Sequence, residues 1–211
     1  HPPDHGVWNP PSKPRLEKAC RRILSQQMPD GGWWIYPDGP ADVNSTVKAY
    51  TALRLCGHSP ESEPMRKACA RIHELGGLQA CNSYTKINLS LFGLYPRKYV
   101  PSIPPELVLM PGGSLYMGGV LYEMASWTRA IVVPLSIVQA VGGVRPAPEG
   151  ISVDELILPD RKLGLPKRDR FLSTIFHHVD KLLKIWERRG HRDARIAAIR
   201  QAERWMLDHC R

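Results

Sequence analysis

The sequence predicts an all-α fold built from helices in pairs. Three observations carry this expectation. Apolar residues recur at helical spacing in one segment after another, and no stretch shows the alternation of a half-buried strand. In addition, the turn Pro29-Asp30-Gly31-Gly32 followed by Trp33 has the chemistry of a fastener between helix pairs: Pro presets φ, Asp bonds its own backbone and Gly accepts positive φ. With 211 residues, 43% of them hydrophobic, and a net charge of +9, the chain is globular and long enough for one good-sized core. Its 17 glycines and 20 prolines cluster between periodic segments rather than in a low-complexity tract.

Residues 1–15 read as a Pro-rich arm, and residues 16–211 as one partial helical domain. The opening His1 in place of Met points to processing, removal of a tag or an incomplete sequence. Leu16, Ala19, Ile23 and Leu24 mark the first helix. Val47, Ala49, Tyr50, Leu53 and Cys56 mark the second, with Asn44 or Ser45 as N-cap and Gly57 as terminator. Pro64 suits the start of a third helix, which runs to Leu75 with Met65, Ala68, Cys69 and Ile72 inward. Asn82 or Ser83 caps a fourth, expected to bury Tyr84, Ile87, Leu91 and Phe92.

Residues 100–119 hold too many prolines and glycines for any helix longer than a short one at 106–109. Helical spacing resumes over 121–141 through Met124, Trp127, Ile131, Leu135 and Val138, with Pro134 as a kink, and a helix apolar on several faces is expected inside the assembly. Residues 142–170 form a second connector. Phe171, Leu172, Ile175, Phe176, Val179, Leu182, Leu183 and Trp186 then make one stripe, with Lys181, Lys184 and Arg188 off it. That stripe fits three uses: core packing first, then a face lying on a membrane, then a dimer seam. A last helix over 193–209 carries Ile196, Ile199, Ala202 and Met206.

Charge is concentrated at the end, where residues 161–211 hold fourteen Lys or Arg against six Asp or Glu. The basic segment lacks interleaved aromatics on its charged side and any nucleic-acid motif, so a solvated face or an anionic lipid surface is expected and nucleic acid is not. Cys20, Cys56, Cys69, Cys81 and Cys210 form no Cys-x-x-Cys pair, and buried free thiols in a reducing compartment are expected over a disulfide or zinc site. The longest apolar run, 130–138, is too short to span a bilayer. His177 and His178 point about 100° apart on a helix and, with Asp180 or with His73, give no ligand set, so no metal is expected.

Gln27-x-x-x-Gly31-x-Trp33 resembles the QW motif of triterpene cyclases, in which the Gln27 amide would cap a helix end while Trp33 lies against the turn. The continuation Tyr36-Pro37-x-Gly39-Pro40-x-Asp42-x-x-x-Thr46-x-x-Ala49-Tyr50-x-Ala52-Leu53 is similar to squalene-hopene cyclase. Glu63-Pro64-Met65-x-Lys67-Ala68, Gly76-Gly77, Val100-Pro101-x-x-Pro104-Pro105-Glu106 and Tyr122-Glu123-x-x-Ser126-Trp127-x-Arg129-Ala130 follow in the family's order. The resemblance covers Leu16 to the C-terminus. It implies an incomplete α/α toroid, a barrel of helical hairpins corresponding to the second, inserted domain of such a cyclase.

The family's reaction is an isomerase chemistry, the polycyclisation of squalene in hopanoid biosynthesis, without cofactor or metal. It begins by protonating an alkene with the aspartic acid of an Asp-x-Asp-Asp cluster. These 211 residues contain no such cluster, so the resemblance implies that a missing sister domain supplies the acid and that this chain alone turns nothing over. The resemblance further implies that Trp127 faces the carbocation cavity through cation–π attraction and that Met124 and Val132 line a channel constriction. It also makes Phe171, Ile175, Phe176, Lys181 and Lys184 a membrane face on a cytoplasmic protein held monotopically at the inner side of the cell membrane. A toroid lacking a hairpin would leave apolar faces open to self-association. Two departures stand out: Lys48 replaces a usual carboxylate, and Asn88 replaces a usual Trp. They favour the alternative of a non-catalytic toroid module that binds lipid or a partner protein. Arg129 and Glu123 suit a structural ion pair.

Overall fold

A computed structural model describes residues 13–109, 124–142, 145–160, 163, 170–189 and 192–209, and leaves the side chains of 170–177, 188 and 189 outside that description. Among the described residues there are seven α-helices and one isolated antiparallel bridge, Trp34 with Ala41. The fold is all-α. The chain divides into two compact units, His1–Val100 with Val144–Pro166 and Pro101–Gly143 with Lys167–Arg211.

The first unit holds α1 (Lys13–Ser25), α2 (Val43–Leu55), α3 (Glu63–Glu74) and α4 (Ser83–Leu91), with 3-10 turns at Leu78–Ala80, Arg97–Tyr99 and Asp154–Leu156. Its core takes Val47, Tyr50 and Leu53 from α2 and Met65, Ala68 and Ile72 from α3, each set at helical spacing on one face. Leu78, Cys81, Ile87, Leu89, Val153 and Leu156 close it. Residues 145–158 return along this core: Arg145 and Ala147 donate backbone N–H groups to the carbonyls of Leu91 and Phe92 (2.8 and 2.9 Å), and the Gln79 amide pairs with Leu158.

Four local expectations are corrected here. The N-cap of α2 is Asp42, not Asn44 or Ser45. Asp42 has extended dihedrals, and its carboxylate accepts from Ser45 N at 2.8 Å. The chain also leaves α2 through a Schellman turn, in which Gly57 N reaches Arg54 O and His58 N reaches Leu53 O while Gly57 sits at φ +91°. On α4, Tyr84 lies exposed, while Thr85, Lys86, Ile87, Leu89 and Ser90 are buried. The helix is rotated by polar anchors: Asn82 caps Thr85 N, and the fully buried Lys86 ammonium donates to Gln79 O at 2.9 Å. On α1, Ala19 is exposed, Leu16, Ile23 and Leu24 are half-buried, and Cys20 alone is buried. Finally, Cys20 and Cys56 are joined in a disulfide, where free thiols were expected; Cys69 and Cys81 are free, and Cys210 lies outside the described residues. Pairing follows from the packing of α1 beside the end of α2, which spacing alone does not encode.

The second unit holds the 3-10 turn Pro105–Leu109, α5 (Ser126–Val141), α6 (Arg170–Arg189) and α7 (Arg192–His209). The turn packs on α5 and α7, and Val108, Val133 and Ala202 form a small core there, with Met124, Val132, Ile137, Trp205 and Met206 around it. Polar ties fix the turn. Arg195 Nε donates to Glu106 Oε1 at 3.0 Å, and Gln201 donates to Val108 O at 3.1 Å. Just before it, Ile103 N donates to Gln139 Oε1 and Ser102 N to the buried Asp180 carboxylate, whose other oxygen holds Lys184.

Three helices show faces other than those expected. In α5 the packed residues are Val133 and Ser136, whereas Trp127 and Ile131 are exposed and Leu135 and Val138 half-buried. The helix is apolar around most of its circumference, so periodicity does not select the inner face. In α6 the expected core stripe opens out at its C-terminal end: Leu182 is 63% exposed, Ile185 and Trp186 are exposed, and Val179 and Leu183 are half-buried. The buried Asp180 sets that rotation, because its carboxylate must reach Ser102 N. Ile196 on α7 is likewise exposed, and Ala198 and Ala202 take the inner face.

Candidate functional site

The motif turn is built by exchange of hydrogen bonds between three segments. Gln27 follows the last turn of α1, and its Nε2 donates to Gly31 O at 3.0 Å and to Pro64 O, in the first turn of α3, at 2.8 Å. Trp33 is buried, and its Nε1 donates to Ile23 O at 2.8 Å. The two side chains therefore divide the work differently from expectation: the indole satisfies a carbonyl at the end of α1, and the carboxamide ties the turn to the next helix. Thr46 adds a third tie, its Oγ1 accepting from Trp33 N at 3.1 Å and donating to Asp42 O at 2.7 Å. Trp33→Phe keeps the buried ring and loses the indole donor, so a loss of about 1–2 kcal/mol is expected. An unchanged urea midpoint in that variant would dispose of the indole's role.

The three residues expected on a cavity or channel do not stand alike. Met124 and Val132 pack against the Val108, Val133 and Ala202 core, and Val132 also lines a tight crevice with Ile103, Pro104, Leu107 and Ser136. Trp127 is 69% exposed at the start of α5, with Ile131 open one turn further on. Of the expected membrane face, Lys181 is exposed and Lys184 is paired with Asp180, while the side chains of Phe171, Ile175 and Phe176 fall outside the described residues, as does Glu123. No described helix is long and apolar enough to cross a membrane.

The two departures are accommodated locally. Lys48 is exposed, its ammonium 5.0 Å above the Tyr84 ring, a cation–π contact that holds the charge at the surface. Asn88 is half-buried.

Sequence reasoning missed a polar hub in the first unit. Glu155 Oε1 accepts from Tyr50 Oη at 2.7 Å and lies 3.7 Å from Arg54 Nε, while Glu155 O contacts His73 Nε2 at 2.7 Å and Cys69 Sγ at 3.6 Å. Burial, followed by the neighbouring carboxylate, holds the Tyr50 hydroxyl far above its ordinary range, and the same two causes raise the Cys69 thiol. Burial pushes the Cys81 thiol up to about 12 and lowers the Lys86 ammonium. Tyr50 therefore keeps its proton and the thiols stay protonated, so the hub clamps the 154–156 turn onto α2 and α3 rather than supplying a strong acid or a nucleophile.

Paired helices, a Gln–Gly–Trp fastener and open apolar helix faces without a carboxylate acid cluster define a helical domain of triterpene-cyclase type. Residues 5–211 match the family model of the squalene-hopene cyclase N-terminal domain, and the chain belongs to that family. It is 37% identical over 197 residues to the squalene-hopene cyclase of Alicyclobacillus acidocaldarius, covering 92% of this chain and 30% of that protein. It is 36% identical over 177 residues to the squalene-hopene cyclase of Zymomonas mobilis (82% of this chain, 26% of that protein). It is 34% identical over 197 residues to the dammaradiene synthase of Dryopteris crassirhizoma (92% and 28%). The chain thus spans less than a third of the length of these relatives.

Proposed function

We propose that this chain is the part of a squalene-hopene-type triterpene cyclase that shapes the apolar site while a sister domain provides the proton. The observation that carries this reading is the open pair Trp127 and Ile131, one turn apart on α5 beside the packed Met124 and Val132, in a chain without an Asp-x-Asp-Asp cluster. An exposed Trp beside an exposed Ile is apolar surface suited to cover by a partner domain or an apolar substrate. Carbocations along a polyene need aromatic faces and few nucleophiles, and Trp127 offers such a face. The substrate class that follows is a squalene-like polyene. The open Leu182, Ile185 and Trp186 on α6 with exposed Lys181 suit a peripheral position on an anionic membrane surface at the cytoplasmic side, from which such a substrate is drawn.

The test is complementation. This chain is co-expressed with the separately encoded remainder of a related squalene-hopene cyclase, supplied with squalene, and the products are read by gas chromatography and mass spectrometry. Cyclised product is expected from the pair and not from either part. Trp127→Ala is expected to lower yield about 30-fold, which corresponds to losing about 2 kcal/mol of cation–π stabilisation, and Trp127→Phe to retain most of it. Undiminished product from Trp127→Ala would remove the tryptophan from the reading, and product from this chain alone would remove the need for a sister acid.

A further inference from the structure

The Cys20–Cys56 bond occupies a position with a consequence for α1. Cys20 is the one buried residue of that helix, at 4% exposure, and residues 13–15 and 17–19 are exposed. At the far end of α1 Trp33 bonds Ile23 O, and the half-buried Leu16 and Leu24 add apolar contact along the helix. The disulfide therefore fastens the N-terminal two-thirds of α1 to the C-cap of α2. It also borders an open cleft of about 260 Å³ that is lined by Lys13, Glu17, Arg21 and His58 together with both cysteines. Cys56 is half-buried where Cys20 is buried, so Cys56 is the more accessible partner. Lys13 and Arg21 against the single carboxylate of Glu17 give the cleft a net positive lining, which favours an arriving thiolate and the thiolate that departs.

We propose that Cys20–Cys56 is a reducible latch, a site of thiol–disulfide exchange with a dithiol reductant, and that its state decides whether α1 is docked. The thiolate of the dithiol attacks Cys56 Sγ, the S–S bond breaks, and the electron pair leaves on Cys20 Sγ, which takes up a proton. The second thiol of the reductant then attacks the mixed disulfide, releases the Cys56 thiolate to be protonated, and closes the reductant's own disulfide. Two electrons and two protons pass from the dithiol to the protein. Once released, the N-terminal part of α1 is a short helix with little buried surface, which water does not sustain. Of the other described thiols, Cys81 is buried and pushed up to about 12, and Cys69 is half-buried and also raised, so neither competes.

The experiment uses the full chain in native buffer, with dithiothreitol in one arm and a thioredoxin in the other, followed by iodoacetamide and peptide mass mapping. Amide hydrogen exchange is read in parallel. The expected result is that Cys20 and Cys56 are unmodified before reduction and alkylated after it without denaturant. Exchange at residues 17–21 should rise at least tenfold while that of α2 and α3 stays unchanged. Reduction by both arms would assign the latch to protein dithiols as well as small ones, and reduction by dithiothreitol alone to small ones. The Cys20→Ser/Cys56→Ser variant is expected to exchange like the reduced chain and to ignore dithiothreitol. Alkylation of both cysteines before any reduction, reduction only in denaturant, or exchange at 17–21 that stays within twofold on reduction would each overturn the proposal, and these wild-type readings decide it even if the variant fails to fold.

Discussion

Gly31→Ala is expected to destabilise the first unit by about 2–5 kcal/mol, summing a left-handed penalty of about 1–2 and an overpacking cost of about 1–3. Gly31 holds φ +86°, and a Cβ there would lie 2.5 Å from the Lys67 carbonyl oxygen and 2.6 Å from its carbon. Those atoms are backbone of α3 and cannot swing away. Relief would require the turn and α3 to separate, and the Gln27 bonds to Gly31 O and Pro64 O hold them together. Gly57→Ala is the control, because that residue is at φ +91° with nothing within 4 Å of the added methyl. It should lose only the conformational part, about 1–2 kcal/mol. Urea denaturation with a constant slope measures both losses. Equal losses in the two variants would mean that contact with Lys67 contributes nothing and that the turn is not clamped against α3.

The same turn shows how far sequence carries. Gln27, Gly31 and Trp33 were legible because each has a chemical specialty at short range. Their division of labour was not, because the partner Pro64 lies 37 residues beyond Gln27. In α2 the face of Val47, Tyr50 and Leu53 and the stop at Gly57 follow from spacing and backbone preference alone. The cap was misassigned because Asp42, Asn44 and Ser45 are all cap formers in series, and the extended dihedrals at Asp42 decide among them. The Glu155 hub joins residues 82–105 apart, and the Cys20–Cys56 bond joins residues 36 apart; neither leaves a local pattern.

For the candidate site, residue type was legible and direction was not. Ser126-Trp127-x-Arg129-Ala130 and its neighbours pointed to the family, which the match over residues 5–211 bears out. Which way α5 turns is fixed by what packs on it. Val133 and Ser136 face inward while Trp127 and Ile131 remain open. A helix apolar on several faces satisfies the hydrophobic effect in several rotations, and the choice falls to its neighbours. Tyr84 illustrates the converse case. It reads as a core residue by spacing, but burying Lys86 against Gln79 O turns its ring outward, where it receives Lys48.

Glu106→Ala carries the second large expectation, a loss of about 3 kcal/mol in the second unit, at the lower end of what breaking a buried ion pair costs. The pair is nearly dry, with side-chain exposures of 10% for Glu106 and 19% for Arg195. Among the described residues Glu106 Oε2 and Arg195 Nη2 have no hydrogen-bond partner, so the two charges depend on each other. Removing the carboxylate leaves the guanidinium buried with, among the described residues, the Glu187 carbonyl, a 3.4 Å contact, to answer it. Glu106→Leu/Arg195→Met removes both charges and keeps apolar volume, and it should recover at least half of the loss, because desolvating the pair offsets much of its attraction. The consequence reaches the candidate channel. Glu106 anchors the Pro105–Leu109 turn, whose Val108 packs on Val133 next to Val132, so amide exchange in the middle of α5 should rise in Glu106→Ala and return toward wild type in the double variant. If Glu106→Leu/Arg195→Met is as unstable as the losses of Glu106→Leu and of Arg195→Met added together, the pair is not coupled and the crevice around Val132 is held by apolar packing alone.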